Sequence, residues 1–192
     1  MPYPKHHAAK TREKILACAY KLFIARGFDA TSIDRIMRDC QLTRGAFYAH
    51  FQSKSQLYGA AIAQAAMQSR LAGDRPTHLS EKAWLLELLT SYLCKDTSAK
   101  TDWPCPLAFL ATDVVRREPE VRAAYTASFA AMNTHIRELA QTYSNCSEAT
   151  VLSVTAMLIG TVAIARTLDN ERLRISLLES SVQTAVMQLG LA

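Results

Sequence analysis

Thr31-Ser-Ile-Asp-Arg-Ile-Met-Arg-Asp-Cys-Gln-Leu-Thr-Arg-Gly-Ala-Phe-Tyr-Ala-His-Phe-Gln-Ser-Lys-Ser-Gln-Leu-Tyr58 is the stretch whose reading decides the fold. Ile33, Ile36, Met37 and Cys40 recur at i, i+3, i+4, i+7, the period of an amphipathic helix. Ser32 and Asp34 stand at its start, where orphan amide donors and the helix dipole favour oxygen and negative charge. Gln41-Leu42 forms a turn, and Thr43 suits the N-cap of a second helix running to about Phe51. Phe47 and Phe51, four apart, share that helix's core face, while Arg44, Gly45, Tyr48 and Ala49 fall on the other side. An outer face that is small and polar, with one long cation near the amino end, suits a DNA major groove. A plain helical hairpin with a solvated face has the same spacing, so spacing alone leaves both readings open.

The residue types are more specific. Thr43-Arg-Gly-Ala-Phe-Tyr-Ala-His-Phe-Gln-Ser-Lys54, after an amphipathic helix ending in Arg26-Gly27-Phe28, resembles the TetR family of transcriptional regulators. That family's pattern here is a small polar residue, a base, glycine, a small residue, an aromatic or aliphatic, tyrosine, any residue, histidine, phenylalanine, a short loop and lysine. The resemblance covers about residues 9 to 62. One departure stands in the turn, where the family usually has alanine-glycine and this chain has Cys40-Gln41. A left-handed Gln41 costs on the order of 1 kcal/mol.

The resemblance implies an all-α fold of about nine helices. Residues 1–54 are expected to form a helix-turn-helix DNA-binding domain and residues 55–192 an effector-binding and dimerisation domain. By resemblance, Tyr48, His50 and Lys54 clamp phosphates, Thr31, Ser32 and Thr43 assist, and Arg44, Gly45 and Ala46 face bases. Apart from the motif, Tyr48 also reads as a packing aromatic and His50 as a partly buried hydrogen bonder.

Charge agrees with a nucleic-acid partner at one end. Residues 1–58 hold ten Lys/Arg against four acids, whereas the other 134 residues hold twelve against thirteen, so the overall +5 belongs to the N-terminal part. The five cysteines, Cys18, Cys40, Cys94, Cys105 and Cys146, show no paired spacing, and Met1-Pro-Tyr-Pro-Lys-His-His lacks an apolar core. The expectation is a cytoplasmic chain with free thiols. Val151 to Ala165 is apolar but short for a membrane span, and it contains Ser153, Thr155, Gly160 and Thr161, so it reads as a buried helix.

Residues 1–8 read as a loose tail, and residues 9–26 as a first helix with Ile15, Leu16, Ala19, Leu22 and Phe23 inward, stopped by Gly27. A fourth helix starts after Gln52-Ser53 and runs to about Leu71. Lys54 in its first turn is an odd place for a cation by dipole logic, which a bound phosphate would explain. Gly73-Asp-Arg-Pro-Thr77 is the best linker candidate. Later helices start at Ser80, Pro106, Pro119, Ser147 and about Glu171. The last two are long and apolar, and the resemblance implies a homodimer built on them.

Candidate effector-pocket residues are Trp84, Tyr92, Trp103, Phe109, Tyr125, Phe129, Met132 and His135, a stripe that would serve equally as plain core. Cys105 precedes Pro106 at a helix start, where the dipole lowers a thiol pKa, so it is the candidate redox or electrophile sensor. An inert cysteine packed beside Trp103 is the competing reading. The sequence has no Gly-rich phosphate loop, no HExxH and no C-x-x-C, so no enzyme, metal or cofactor is expected. The resulting picture is a dimeric regulator, most simply a repressor, that binds a near-palindromic operator and is released by a small-molecule effector. Release through Cys105 and an activator role are the alternatives; a thiol enzyme or a protein-interaction module is more remote.

Overall fold

The computed structural model describes residues 5–68, 75–95, 105–142 and 144–191. Among them the chain is all helical: α1 (Lys5–Arg26), α2 (Ile33–Asp39), α3 (Arg44–Tyr48), α4 (Lys54–Gln68), α5 (Glu81–Lys95), α6 (Pro106–Val114), α7 (Pro119–Gln141), α8 (Glu148–Ala165) and α9 (Glu171–Gln188). The all-α architecture of nine helices is as expected. Residues 5–8 differ from expectation, since α1 already begins at Lys5. Helix α3 is shorter than the spacing suggested; it ends at Tyr48, with Ala49 as its C-cap. Residues 1–4 of the expected tail, Gly73 and Asp74 of the expected linker, and Trp103 lie outside the described residues.

The chain divides into two compact units, and the division runs inside α4, α6 and α7. The first comprises residues 1–66 and 109–128. Its core is Ile15, Leu16, Ala19, Tyr20 and Phe23 from α1, Ile36 and Met37 from α2, Phe47 from α3, and Leu57, Tyr58 and Ile62 from α4. All are at most 2% exposed, so each large side chain contributes about 1.5–3 kcal/mol of apolar burial. Phe51 closes the same core below α3, its ring 5.9 Å from that of Phe47.

Local chemistry sets the helix ends. Ser32 caps α2 by accepting from the Arg35 amide at 3.1 Å. Thr43 caps α3 by accepting from the Ala46 amide at 3.4 Å. Between them the Gln41 backbone takes φ +56°, the left-handed turn that the Cys40-Gln41 pair implied. Gly27 stops α1 at φ +75°, where glycine carries no Cβ penalty.

The second unit comprises residues 67–108 and 129–192. Here α8 packs on α9, and both touch α5. Ser147 caps α8 and Asn170 caps α9, each accepting from the amide three residues on. Val151, Val154, Thr155, Leu158, Thr161, Val162 and Ala165 form the buried stripe of α8. A buried hydroxyl pair, Thr161 with Ser181 at 2.8 Å, joins α8 to α9. Helix α8 is long and apolar enough to cross a membrane by length and composition, with mean hydropathy 1.8. It is apolar nearly all round, yet only one stripe is covered within the chain. Leu152 and Ile164 of α8 are 43% and 52% exposed, and Leu173 and Met187 of α9 are 54% and 67% exposed.

Gln41→Gly should raise stability by about 1 kcal/mol, because glycine accepts the left-handed turn without strain. A higher thermal midpoint at unchanged helical signal is the expected reading, and a lower one would show that Gln41 is not strained.

Candidate nucleic-acid interface

The outward face of α3 is built in the first unit. Phe47 and Phe51 point inward at 0% and 2% exposed, which commits the opposite side of the helix to solvent. Arg44, Gly45, Tyr48 and Ala49 are all exposed there, and Ala46 and His50 are half-buried beside them. Tyr48 is 54% exposed and stands edge-on to Phe47, with ring centroids 5.0 Å apart. Arg44 does not wave freely. Its guanidinium donates to both Asp34 oxygens at 3.2 Å, reaches the Tyr48 hydroxyl at 3.5 Å, and lies 5.9 Å from the Tyr48 ring centroid. The Tyr48 hydroxyl first, and then the Asp34 carboxylate, hold the Arg44 pKa above its ordinary value.

Gly45 is informative because nothing inside the protein requires it. A Cβ there would meet only the Thr43 hydroxyl oxygen at 3.8 Å, an ordinary contact, and the backbone is not left-handed. The space it leaves opens outward. Ser32 and Thr43 are exposed, with their hydroxyl oxygens already accepting capping bonds.

Two of the expected phosphate ligands are placed differently. Thr31 is fully buried, and its hydroxyl donates to the Gly27 carbonyl at 2.7 Å. Lys54 turns inward. Its ammonium donates to the carbonyls of Phe28 at 2.9 Å and Thr31 at 3.1 Å and sits 3.9 Å from the Phe28 ring centroid. These carbonyls lie in the non-helical corner between α1 and α2, where no helix amide is available to them, so a cation is drawn in. That corner explains the lysine in the first turn of α4 without a phosphate. Burial lowers the Lys54 pKa, in keeping with an inward ammonium.

The same corner is gripped from the other side by residues that the sequence did not single out. Arg117 forms a two-pronged pair with Asp29 at 2.8 and 2.7 Å, reaches Asp113 at 3.0 Å, and packs 4.6 Å from the centroid of Phe28. Tyr58 donates to Asp113 at 2.6 Å, and Ser55 donates to Glu118 at 2.8 Å. The hydrogen bond from Arg117 holds the Asp29 carboxyl below its usual range. The backbone amide of Glu118 and the Ser55 hydroxyl do the same for Glu118. Arg12 is another unforeseen cation, 5.1 Å from the centroid of Phe51. Eighty-eight residues separate Asp29 from Arg117, so no spacing rule reveals the pair.

The candidate pocket residues that the structure describes are divided between the two units. Phe109 and Tyr125 belong to the first unit; Trp84, Tyr92, Phe129, Met132 and His135 belong to the second. Tyr92 and Met132 are core, at 1% and 8% exposed. Trp84 Nε1 and His135 Nε2 are buried without a hydrogen-bond partner. In the second unit a cleft of about 220 Å³ is lined by Phe129, Asn133, Thr134, Arg137, Glu148, Val151 and Leu152 among others, and of the expected residues only Phe129 reaches it. That volume is below the roughly 300 Å³ of a small ligand pocket. Cys105 does lie at the start of α6, but it is buried at 3% exposed, out of easy reach of a reagent.

Residues 15–61 match the family model described as bacterial regulatory proteins, tetR family. This segment of the chain resembles the DNA-binding part of the TetR family. The N-terminal part of the chain is 43% identical over 54 residues to the HTH-type transcriptional regulator AcrR of Shigella flexneri, covering 28% of this chain and 25% of AcrR. It is 31% identical over 87 residues to the HTH-type transcriptional repressor BepR of Brucella suis, covering 41% of this chain and 42% of BepR. The chain thus matches less than half the length of these curated relatives. Solved structures share the fold along nearly the whole chain. The reduced form of Escherichia coli NemR superposes with TM-score 0.75 at 17% identity over 92% of this chain and 95% of NemR. A TetR transcriptional regulator from Chloroflexus aurantiacus gives 0.70 at 24% identity over 96% of both chains.

Asp29→Asn should make acid unfolding less steep. A depressed carboxyl contributes stability that is present above its unfolded pKa and is lost as pH falls through the folded value. Removing it flattens the stability curve below about pH 4. An unchanged curve in urea titrations at several acidic pH values would count against the Arg117 pair.

Proposed function

We propose that this protein is a TetR-family DNA-binding transcriptional regulator whose reading surface is the outward face of α3. The observation that carries this is Gly45: an exposed glycine with no internal need for it, beside an arginine and a tyrosine, on a helix whose other side is locked into the core. Small residues there let a helix enter a major groove closely, and Arg44 then reaches base edges. Tyr48, His50, Ser32 and Thr43 flank it as phosphate-side contacts. Thr31 and Lys54 act through the α1–α2 corner instead of through their side chains on DNA. AcrR and BepR carry the names of a regulator and a repressor, which supports the same reading for this chain, with repression as its sign.

The functional division proposed is a DNA-binding part in residues 1–54 and an effector-binding and dimerisation part in residues 55–192. The uncovered apolar side chains of α8 and α9 support a homodimer through those helices, and a two-fold pair of reading helices demands a near-palindromic operator. Release follows if a small-molecule effector binds the second part with different affinity in the two spacings of the heads. Such a protein acts in the cytoplasm, on DNA, without turnover. Release through Cys105 is a second reading; its place before Pro106 favours it, and its burial requires α6 to open first.

Two substitutions test the surface. Gly45→Ala should leave stability unchanged or up to about 1 kcal/mol higher while weakening DNA binding, because the added methyl meets only the groove. Equal or tighter binding would remove the close-approach argument. Arg44→Ala should weaken binding to the selected site more than to random DNA, measured by gel shift after random-sequence selection. An equal loss on both would sink its base-reading role.

A further inference from the structure

Cys18 and Cys40 lie twenty-two residues apart, on α1 and at the end of α2, with no motif linking them. The fold brings them together. Cys40 is fully buried, and its sulfur points at α1, 3.8 Å from the Lys14 carbonyl oxygen. Lys14 precedes Cys18 by one helical turn. Helical side chains lean back toward the amino end, so the Cys18 side chain lies over the turn that carries that carbonyl. Cys18 is near enough to the Cys40 thiol to raise its pKa, second only to burial. Both thiols are free, and Cys18 is only half-buried, which leaves a small oxidant one point of entry.

We infer that Cys18 and Cys40 are an oxidisable dithiol, converted by hydroperoxides to a disulfide that staples α1 to the helix-turn-helix turn. The exposed partner reacts first: the Cys18 sulfur takes one oxygen from the peroxide, giving a sulfenic acid and releasing water or an alcohol. The Cys40 sulfur then attacks the Cys18 sulfur. The S–O bond breaks, and the hydroxyl leaves as water with the proton of the Cys40 thiol. Two thiols have lost two hydrogens and two electrons to one peroxide. Burial, and then the Cys18 neighbour, push the Cys40 thiol pKa up, which makes it the resolving and not the initiating partner.

Bond formation brings the sulfurs from non-bonded contact to about 2.05 Å. A packed core does not absorb that by compression, so Cys40 moves and takes Gln41 and the start of α3 with it. This consequence for DNA rests on the function proposed above; the dithiol chemistry does not.

The test treats the full-length protein with hydrogen peroxide, alkylates it, and maps its peptides by mass. The expected result is a Cys18–Cys40 disulfide, two hydrogens lighter than the dithiol and reversed by dithiothreitol. It should be absent from Cys18→Ala and Cys40→Ala, and the latter should instead hold a dimedone-reactive Cys18. A wild-type protein that keeps its helical signal while Cys18 stops at sulfenic or sulfinic acid, or pairs with another cysteine, overturns the inference. So does a Cys40 that remains fully alkylatable after unfolding. On the same samples, affinity for the selected DNA should fall several-fold on oxidation and return on reduction. A disulfide-containing protein that binds as tightly as the reduced one overturns the displacement of the turn. Reduced protein that never binds DNA counts against the proposed function and leaves the mapped disulfide standing.

Discussion

The grip on the α1–α2 corner is the constraint from which the first unit takes its shape. Gly27 ends α1, and the chain passes Phe28, Asp29, Ala30, Thr31 and Ser32 before α2 begins, leaving carbonyls outside the helices. Lys54 donates to those of Phe28 and Thr31, and both its ammonium and the Arg117 guanidinium lie over the Phe28 ring. Phe28 also meets Phe23 and Tyr58 at 5.9 and 5.1 Å, so polar and apolar restraints converge on one residue. The start of α2 follows from that corner, the turn at Gln41 follows from α2, and the outward aim of α3 follows from the turn.

Asp29, Asp113 and Arg117 extend this grip to the turn between α6 and α7. The Asp29 carboxylate is largely exposed, so its contribution is screened and modest. The inner part is different. Arg117 has a side chain only 9% exposed, and Tyr58, fully buried, donates to Asp113. A part-buried charge held by two carboxylates and a ring has few alternative positions, which ties the α6–α7 turn to the corner.

The surface above this frame is organised by weaker forces. Asp34 keeps Arg44 folded against Tyr48. The bond is solvent-exposed and easily exchanged for another partner. Helix α3 is thus firmly placed in the core while its arginine is loosely held.

The sequence by itself determined the helices, several of their caps and which side of α3 faces outward. Periods of three and four, Ser32, Thr43, Ser147 and the glycine stop at Gly27 are local signals, and helix formation answers to local signals. The left-handed Gln41 was legible too, because the backbone demand of a tight turn does not depend on what packs around it. Tertiary structure alone decided where long side chains spend their charges and which backbone groups a buried thiol faces. Lys54 was legible as an anomaly in a first turn, but its carbonyl partners lie 23 and 26 residues away. Arg117 reaches across 88 residues, and Cys40 was assigned to a helix face with no hint of the Lys14 carbonyl behind it. Hydrogen bonds, ion pairs and thiol contacts act over a few ångströms of space, and in a helical fold that distance has no fixed counterpart along the chain.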